Sequence, residues 1–452
     1  MKYKVYNVNN FWKIPQIRQV LSDKDLRNIE IAGNVLPFKV NNYVIDELID
    51  WANIPSEPTF NHTFPQKGML APNHFTIIED ALNQNLSKAK LQSLANSIRL
   101  SLNPNPGGQE ENIPKFNGTK LTGIQHKYKE TILFFPSNGQ ACHAYCTFCF
   151  RWPQFTGMEK LKFSMQETDL LVKYLKKHSE ITDILFTGGD PMVMSATNLT
   201  NYIEPLIGHK IPHLQNIRIG TKSLSHWPYR FLTDPDADDL LILFDKIVKQ
   251  GYHLSIMAHF SHPNELKTES VKKAIKRILN TGAVIRTQSP IMKHINDDAK
   301  VWTDMWKEQV KLGCIPYYMF VARNTGAKDY FAITLDQAWK TYRKAYQKVS
   351  GIARTVRGPI MSAKLGKIQI LGVNKIKEEK VFTLQFIQGR NPDWVRKPFF
   401  AKYDPYAIWF NDLIPAFDNE RFFFENNISS QTDKSNTTET KITASDRYPW
   451  LV

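Results

Sequence analysis

Short apolar or β-branched runs recur along the middle of the chain. They fall at Thr131–Phe135, Asp183–Phe186, Ile217–Ile219, His253–Ala258, Ala283–Gln288 and Pro316–Phe320. Between several of them the apolar positions shift to helical spacing. One helix is expected to open at a capping box formed by Ser164 and Glu167. Others are expected over Ala237–Gln250, Glu269–Leu279 and Ala299–Leu312. Strand–helix alternation of this kind predicts parallel βαβ units. Six repeats suit a partial (β/α)6 barrel better than a closed eightfold one, so the fold class is α/β. Ligands should then sit at the carboxyl ends of the strands.

The flanks read differently. Up to about residue 125 the pattern is helical and mixed, with amphipathic stretches at Asp23–Ala32, Val44–Trp51 and Leu86–Leu102. Asn103-Pro-Asn-Pro-Gly-Gly108 then breaks any helix. After a helix over Leu335–Val349 come a β-rich segment to about Phe386 and an aromatic-rich one to about Phe424. The polar end should be disordered. The expected layout is a helical N-terminal module and linker (1–125), the partial barrel (126–340), a C-terminal segment completing the active site (341–425) and a disordered tail (426–452). No internal repeat is visible.

Composition narrows the class. Hydrophobic residues make up 42% and aromatics 12%, enough for a sizeable core. The formal charge is +15, from 58 basic and 43 acidic residues. The basic residues are spread rather than blocked, so most should be solvated surface and nucleic acid is not the expected partner. No apolar run approaches the ~18 residues of a membrane span. The N-terminus lacks the apolar core of a signal peptide, and a cytoplasmic protein is expected.

There are 4 cysteines, and all but Cys314 lie in Cys142-His-Ala-Tyr-Cys146-Thr-Phe-Cys149. A secreted disulfide scaffold would be denser. This C-x3-C-x2-C run directly follows the first expected strand of the barrel. Soft thiolates suit iron–sulfur clusters, and three of them leave one iron of a cubane open. A structural zinc site would want a fourth ligand. His143 is badly placed to supply it, and Cys314 could do so only through the fold.

The spacing, with Phe148 before the last cysteine, resembles the radical S-adenosylmethionine (SAM) superfamily motif. The resemblance implies a [4Fe–4S] cluster on Cys142, Cys146 and Cys149, with SAM chelated at the open iron and cleaved by one electron to a 5′-deoxyadenosyl radical. Phe148 would lie against the adenine. Gly188-Gly189-Asp190, at the end of the second strand, resembles the superfamily's GGE/GGD element. Its carboxylate would contact the methionyl ammonium.

Further stretches resemble the lysine 2,3-aminomutase family: Gln125-His-Lys-Tyr128, Arg218-Ile-Gly-Thr-Lys222, His259-Phe-Ser-His-Pro-Asn-Glu265, Gln288-Ser-Pro-Ile-Met-Lys-His-Ile-Asn-Asp297 and Pro316-Tyr-Tyr-Met-Phe320. The resemblance implies a 1,2-amino shift on a free, small-molecule amino-acid substrate, with pyridoxal phosphate carrying the migrating nitrogen. It also implies an electron donor such as flavodoxin or ferredoxin, and a homo-oligomer. Arg151 matches the arginine that pairs with the substrate α-carboxylate. In Arg357-Gly-Pro-Ile-Met-Ser-Ala-Lys364-Leu-Gly-Lys367 the Gly-Lys pair selects Lys367 as the pyridoxal lysine, which is preferred; counting from Pro359 selects Lys364. Two phosphate-binding arginines of the family read here as Lys127 and Thr131.

Of two aspartates that hold the lysine side chain in the family, Asp297 matches one and Arg323 stands at the other. A cation there repels lysine and points to another substrate, such as glutamate, unless Arg323 simply pairs with Asp297. The alternative is a radical SAM enzyme without pyridoxal phosphate that modifies a peptide, a protein or RNA.

Overall fold

The structure is a computed structural model and describes residues 1–425. The tail expected to be disordered (426–452) lies outside the described residues. The main sheet takes its strands in chain order: β1 (Ile124–Tyr128), β2 (Thr131–Phe134), β3 (Asp183–Phe186), β4 (Asn216–Thr221), β5 (His253–His259), β6 (Val284–Ile291), β7 (Ile315–Val321), β8 (Arg357–Ser362), β9 (Gly366–Ile376), β10 (Glu379–Gly389) and β11 (Pro398–Lys402). It is 11-stranded, and each strand pairs with its neighbours in sequence. Every adjacent pair from β2 to β8 is parallel. β1 and β9 to β11 continue the two edges antiparallel. β1 and β11 do not pair, so the barrel stays partial.

Six helices follow the first six parallel strands: α1 (Thr168–Lys177), α2 (Ala196–Gly208), α3 (Ala237–Lys249), α4 (Glu269–Leu279), α5 (Ala299–Lys311) and α6 (Leu335–Gln347). Each turns an apolar stripe to the sheet, as Leu171, Val172 and Leu175 do from α1. Against them lie Ile132, Phe134, Ile184, Phe186, Ile217 and Ile219, all fully buried. Each such side chain contributes about 1.5–3 kcal/mol. This layer is what aligns the strand ends on which the site is built.

Several expectations need correction. The helix expected from Ser164 begins instead at Thr168, and the capping box does not form. Met165 has been recruited into strand-like pairing: its N–H reaches Phe135 O at 2.9 Å and its carbonyl accepts from Ser137 N at 3.1 Å. Sheet extension outcompeted the local helix signal. The stretch Val44–Trp51 is one wide π-turn, Val44–Leu48, rather than a regular helix. Helix α2 was not foreseen, although Ser195 caps it. The β-rich segment after α6 begins with β8, which is parallel and belongs to the barrel sheet.

The N-terminal module contains helices over Asp23–Val35, Pro72–Asn83 and Lys88–Ser101. The first is fixed by a capping box of Ser22 and Asp25. A small antiparallel ladder joins Val5–Asn7 to Lys39–Asn41. The expected break after Lys88–Ser101 is present, with Asn103, Gly107 and Gly108 in the left-handed region.

Candidate active site

The cysteine run lies in the loop that leaves β2, and Trp152 N closes it by donating to Cys149 O at 3.1 Å. The N-terminal module clasps this loop. Lys39 Nζ donates to Cys142 O at 2.7 Å, and Tyr3 OH to His143 O at 2.7 Å. Asn41 Nδ2 donates to His143 O and to His226 O, at 3.2 and 2.9 Å. Thr147 N donates to His62 O at 2.9 Å. Burial pushes all three thiols up, Cys149 to about 11, and at Cys142 the neighbouring Asp190, Cys149 and Cys146 add to the effect. Buried, mutually repelling thiolates call for a bound cation, and a thiol-ligated cluster fits that donor set.

Gly188, Gly189 and Asp190 leave β3 directly beneath this loop. A Cβ on Gly189 would collide with the Ala141 backbone, and one on Gly188 with the Gln140 amide. Asp190 N donates to Ala141 O at 2.6 Å. The Asp190 carboxylate accepts from Met192 N (2.9 Å), Thr221 Oγ1 (2.8 Å), Lys222 N (2.9 Å), Ser223 N (3.1 Å) and Ser223 Oγ (3.0 Å). The motif therefore ties the ends of β3 and β4 to the residue preceding Cys142. The contact expected for Asp190 with an ammonium would have to share a carboxylate that already has these partners.

Phe148 stands among rings of His62 (4.8 Å), His259 (5.7 Å) and Phe331 (5.9 Å). Next to it is a buried polar group drawn from several strand ends. Glu265 Oε2 accepts from Lys222 Nζ at 2.9 Å and Ser261 N at 3.1 Å. His62 Nε2 lies 3.2 Å from Cys146 Sγ. Both ring nitrogens of His226 and Glu265 Oε1 have no partner. Unsatisfied buried polar atoms are costly, so their position beside the cysteines suits a polar ligand such as SAM. His62, His226 and Glu265 offer donor atoms within 4.8 Å of one another. Lys222 already neutralises that carboxylate.

A second region gathers cations. Lys367, at the start of β9, donates from Nζ to Gln388 Oε1 at 2.6 Å and lies over the Tyr318 and Tyr128 rings at 4.9 and 5.4 Å. Burial lowers its pKa to about 7, helped by Arg218, Arg357 and Arg323 against Asp183. Lys127 on β1 donates to Ala363 O. Burial, then Arg323, Arg390 and Lys367, lower it to about 6. Arg323 donates to Pro106 O at 3.1 Å and Ser362 Oγ at 3.0 Å. Arg151 and Arg323 both lie over the Phe150 ring, at 4.9 and 4.3 Å. Burial, with Arg323 beside it, brings Arg151 down to about 9.

Among the described residues no carboxylate pairs with Lys127, Arg151, Arg323 or Lys367. The nearby Asp183 is engaged by Arg218 and by Thr131 Oγ1 at 2.9 Å. Buried cations without counter-charges, together with the unpartnered Tyr128 hydroxyl, suit anions such as a phosphate and carboxylates. Pyridoxal phosphate fits this donor set.

The other candidates fall outside. Lys364 points away into an exposed ion pair with Glu111 at 3.0 Å. Asp297 forms no ion pair with Arg323; its charge is felt by His294 on the loop after β6. Thr131 serves Asp183 rather than facing the cations. Cys314 is buried on its own, next to β7.

A putative L-lysine 2,3-aminomutase of Aquifex aeolicus is 33% identical over 293 residues, 65% of this chain and 75% of that protein. The chain belongs to the lysine 2,3-aminomutase family of radical SAM enzymes. Two further relatives match at lower identity. The L-lysine 2,3-aminomutase of Haemophilus influenzae is 26% identical over 56% of this chain and 72% of its own. A glutamate 2,3-aminomutase of Clostridioides difficile is 27% identical over 51% of each. No protein-family model matches the chain. Among solved structures, a radical SAM methyltransferase from Sphaerobacter thermophilus aligns over 53% of this chain and 68% of its own, with a TM-score of 0.38 and 14% identity.

Within this family member, sequence reasoning missed Arg390, Gln388, His62 and Lys39. Arg390 donates to Asn112 Oδ1 at 2.6 Å. Gln388 could have been found by pairing: in the β9–β10 hairpin it stands opposite Lys367. His62 and Lys39 carry no local signal, because their partners lie on the far side of the sequence.

Proposed function

We propose that this protein is a radical SAM aminomutase that moves the amino group of an acidic amino acid between adjacent carbons, with glutamate as the representative substrate. The observation that carries this reading is the enclosed Lys367, lowered to about 7 among cations that have no carboxylate partner. Cys142, Cys146 and Cys149 would hold the [4Fe–4S] cluster, and Phe148, Gly188, Gly189 and Asp190 would receive SAM. When bound, the cluster and SAM would supply hydrogen-abstracting radical chemistry and pyridoxal phosphate an electrophilic carbon for the migrating nitrogen.

The chain's own residues bind, orient and shield. Lys367 has a free electron pair on Nζ near neutral pH, as a nucleophilic lysine needs. Gln388 Oε1 takes one of its hydrogens and fixes its direction. The Tyr128 and Tyr318 rings keep water from it. Lys127 and Arg390 are the cations for a phosphate. Arg151, packed over the Phe135 and Phe150 rings, offers a two-pronged donor to the α-carboxylate. Arg323, also over the Phe150 ring, takes the side-chain carboxylate. A lysine side chain would bring a third cation to this place and be repelled.

Borohydride reduction of the protein incubated with pyridoxal phosphate tests the cofactor assignment. A pyridoxyl group should map to Lys367 by peptide mass spectrometry. A label on Lys364 alone, or on neither lysine, refutes it.

A further inference from the structure

We propose that His62 is a positioning residue for the cluster: its Nε2–H donates to Cys146 Sγ and raises the cluster's reduction potential. The inference rests on the assignment of the cluster to the three cysteines and goes beyond it, because His62 comes from the N-terminal module and belongs to no cysteine motif.

The geometry is closely determined. His62 sits on the short helix Pro58–Thr63, which Glu57 starts by accepting from Phe60 N at 2.5 Å. That helix is bolted to the cysteine loop through the residue after Cys146. Thr147 Oγ1 donates to Asn61 O at 2.8 Å and to His62 O at 3.0 Å, and Thr147 N donates to His62 O at 2.9 Å. The ring is wedged against Phe148 and His226, at 4.8 and 5.1 Å. Nε2 lies 3.2 Å from Cys146 Sγ, whereas Nδ1 is 3.6 Å from Glu265 Oε1, too far for a hydrogen bond. Glu265 is served instead by Lys222 and Ser261. The ring proton is therefore placed on Nε2, where a cluster thiolate can only accept it.

His62 is 1% exposed, so no water competes for this bond. When one electron arrives from an external low-potential donor, negative charge on the cluster sulfurs increases. A fixed N–H donor then stabilises the reduced form more than the oxidised one. The clasp to Thr147 uses only the backbone of residues 61 and 62. Changing the ring removes the donor and leaves the clasp.

The test is an EPR-monitored redox titration of the full chain, anaerobically reconstituted, as wild type, His62→Phe and His62→Gln. His62→Phe should shift the midpoint downward by roughly tenfold in the reduction equilibrium, about 59 mV for one electron. His62→Gln, which keeps a donor, should recover part of the shift. In wild type grown with 15N-histidine, pulsed EPR should show a nitrogen coupling at the reduced cluster that His62→Gln alters. Equal potentials in wild type and His62→Phe overturn the proposal. If His62→Phe fails to load, absence of the nitrogen coupling in wild type overturns it. Iron and sulfide content of the wild type separates the two readings: an unloaded wild type refutes the cluster assignment, while a loaded wild type without shift or coupling refutes only the role of His62.

Discussion

The cysteine loop and the cationic chamber around Lys367 are built on the same sheet, yet they solve opposite electrostatic problems. Around the cysteines, burial raises the thiols and the neighbouring histidines are held toward neutrality, and the cations beside them, Lys39 and the Glu265-paired Lys222, offset three thiolates only in part. Around Lys367 the excess is positive: Lys127, Arg151, Arg323 and Arg390 gather with Asp183 already engaged. One region is made to receive a cationic group, the other anionic ones. Arg151 stands two residues from Cys149 and joins them. Under the proposed function, the contrast would let one sheet hold a metal cluster and a phosphorylated cofactor without exchanging their ligands.

The largest expected effect comes from breaking the first region. Cys146→Ser should abolish cluster loading, read as loss of iron and of visible absorbance, and with it all SAM cleavage. Next is the second region alone: Lys367→Ala should remove pyridoxal phosphate labelling while leaving cluster absorbance unchanged, and Lys364→Ala should leave both intact. Loss of both signals in Lys367→Ala would mean that the regions are not separable. Arg323→Ala should then sharpen the chamber's role. Removing one charge-assisted bond to a carboxylate costs about 1.5–3 kcal/mol, on the order of a 10- to 100-fold weaker kcat/KM for an acidic amino acid.

A smaller effect concerns pH. Lysine in the unfolded chain titrates near ~10.4, whereas Lys367 and Lys127 titrate at about 7 and about 6 when folded. Over that interval the unfolded chain binds more protons, so stability rises with pH. Thermal melts of the cofactor-free protein should therefore climb from about pH 6 to about 8.5. Above that the raised thiols work in the other direction. Lys367→Met should flatten the climb, and an unchanged slope would show that Lys367 is not buried as a cation.

How much could be read from sequence follows the same division. The three clustered cysteines are local, within eight positions, and their spacing is visible in the sequence itself. The βα alternation was legible because each strand and helix buries one face at its own period. The chamber was only half legible. Arg151, Lys127, Arg323 and Lys367 could be named, while Asp297 forms no ion pair with Arg323 although β6 and β7 end side by side at Ile291 and Val321. The clasp on the cysteine loop was invisible. His62 and Cys146 are 84 positions apart, and Asn41 and His226 are 185. Only the folded chain brings such pairs together. Ser164 failed for a different reason, because pairing of Met165 with the sheet outweighed a local capping signal.

The most direct test of the central claim is an anaerobic assay of the reconstituted wild-type enzyme with SAM, pyridoxal phosphate and a reductant, offered isotopically labelled glutamate and lysine in parallel. The account predicts the β-amino isomer of glutamate by mass spectrometry and none from lysine. Turnover of lysine with glutamate untouched would contradict it.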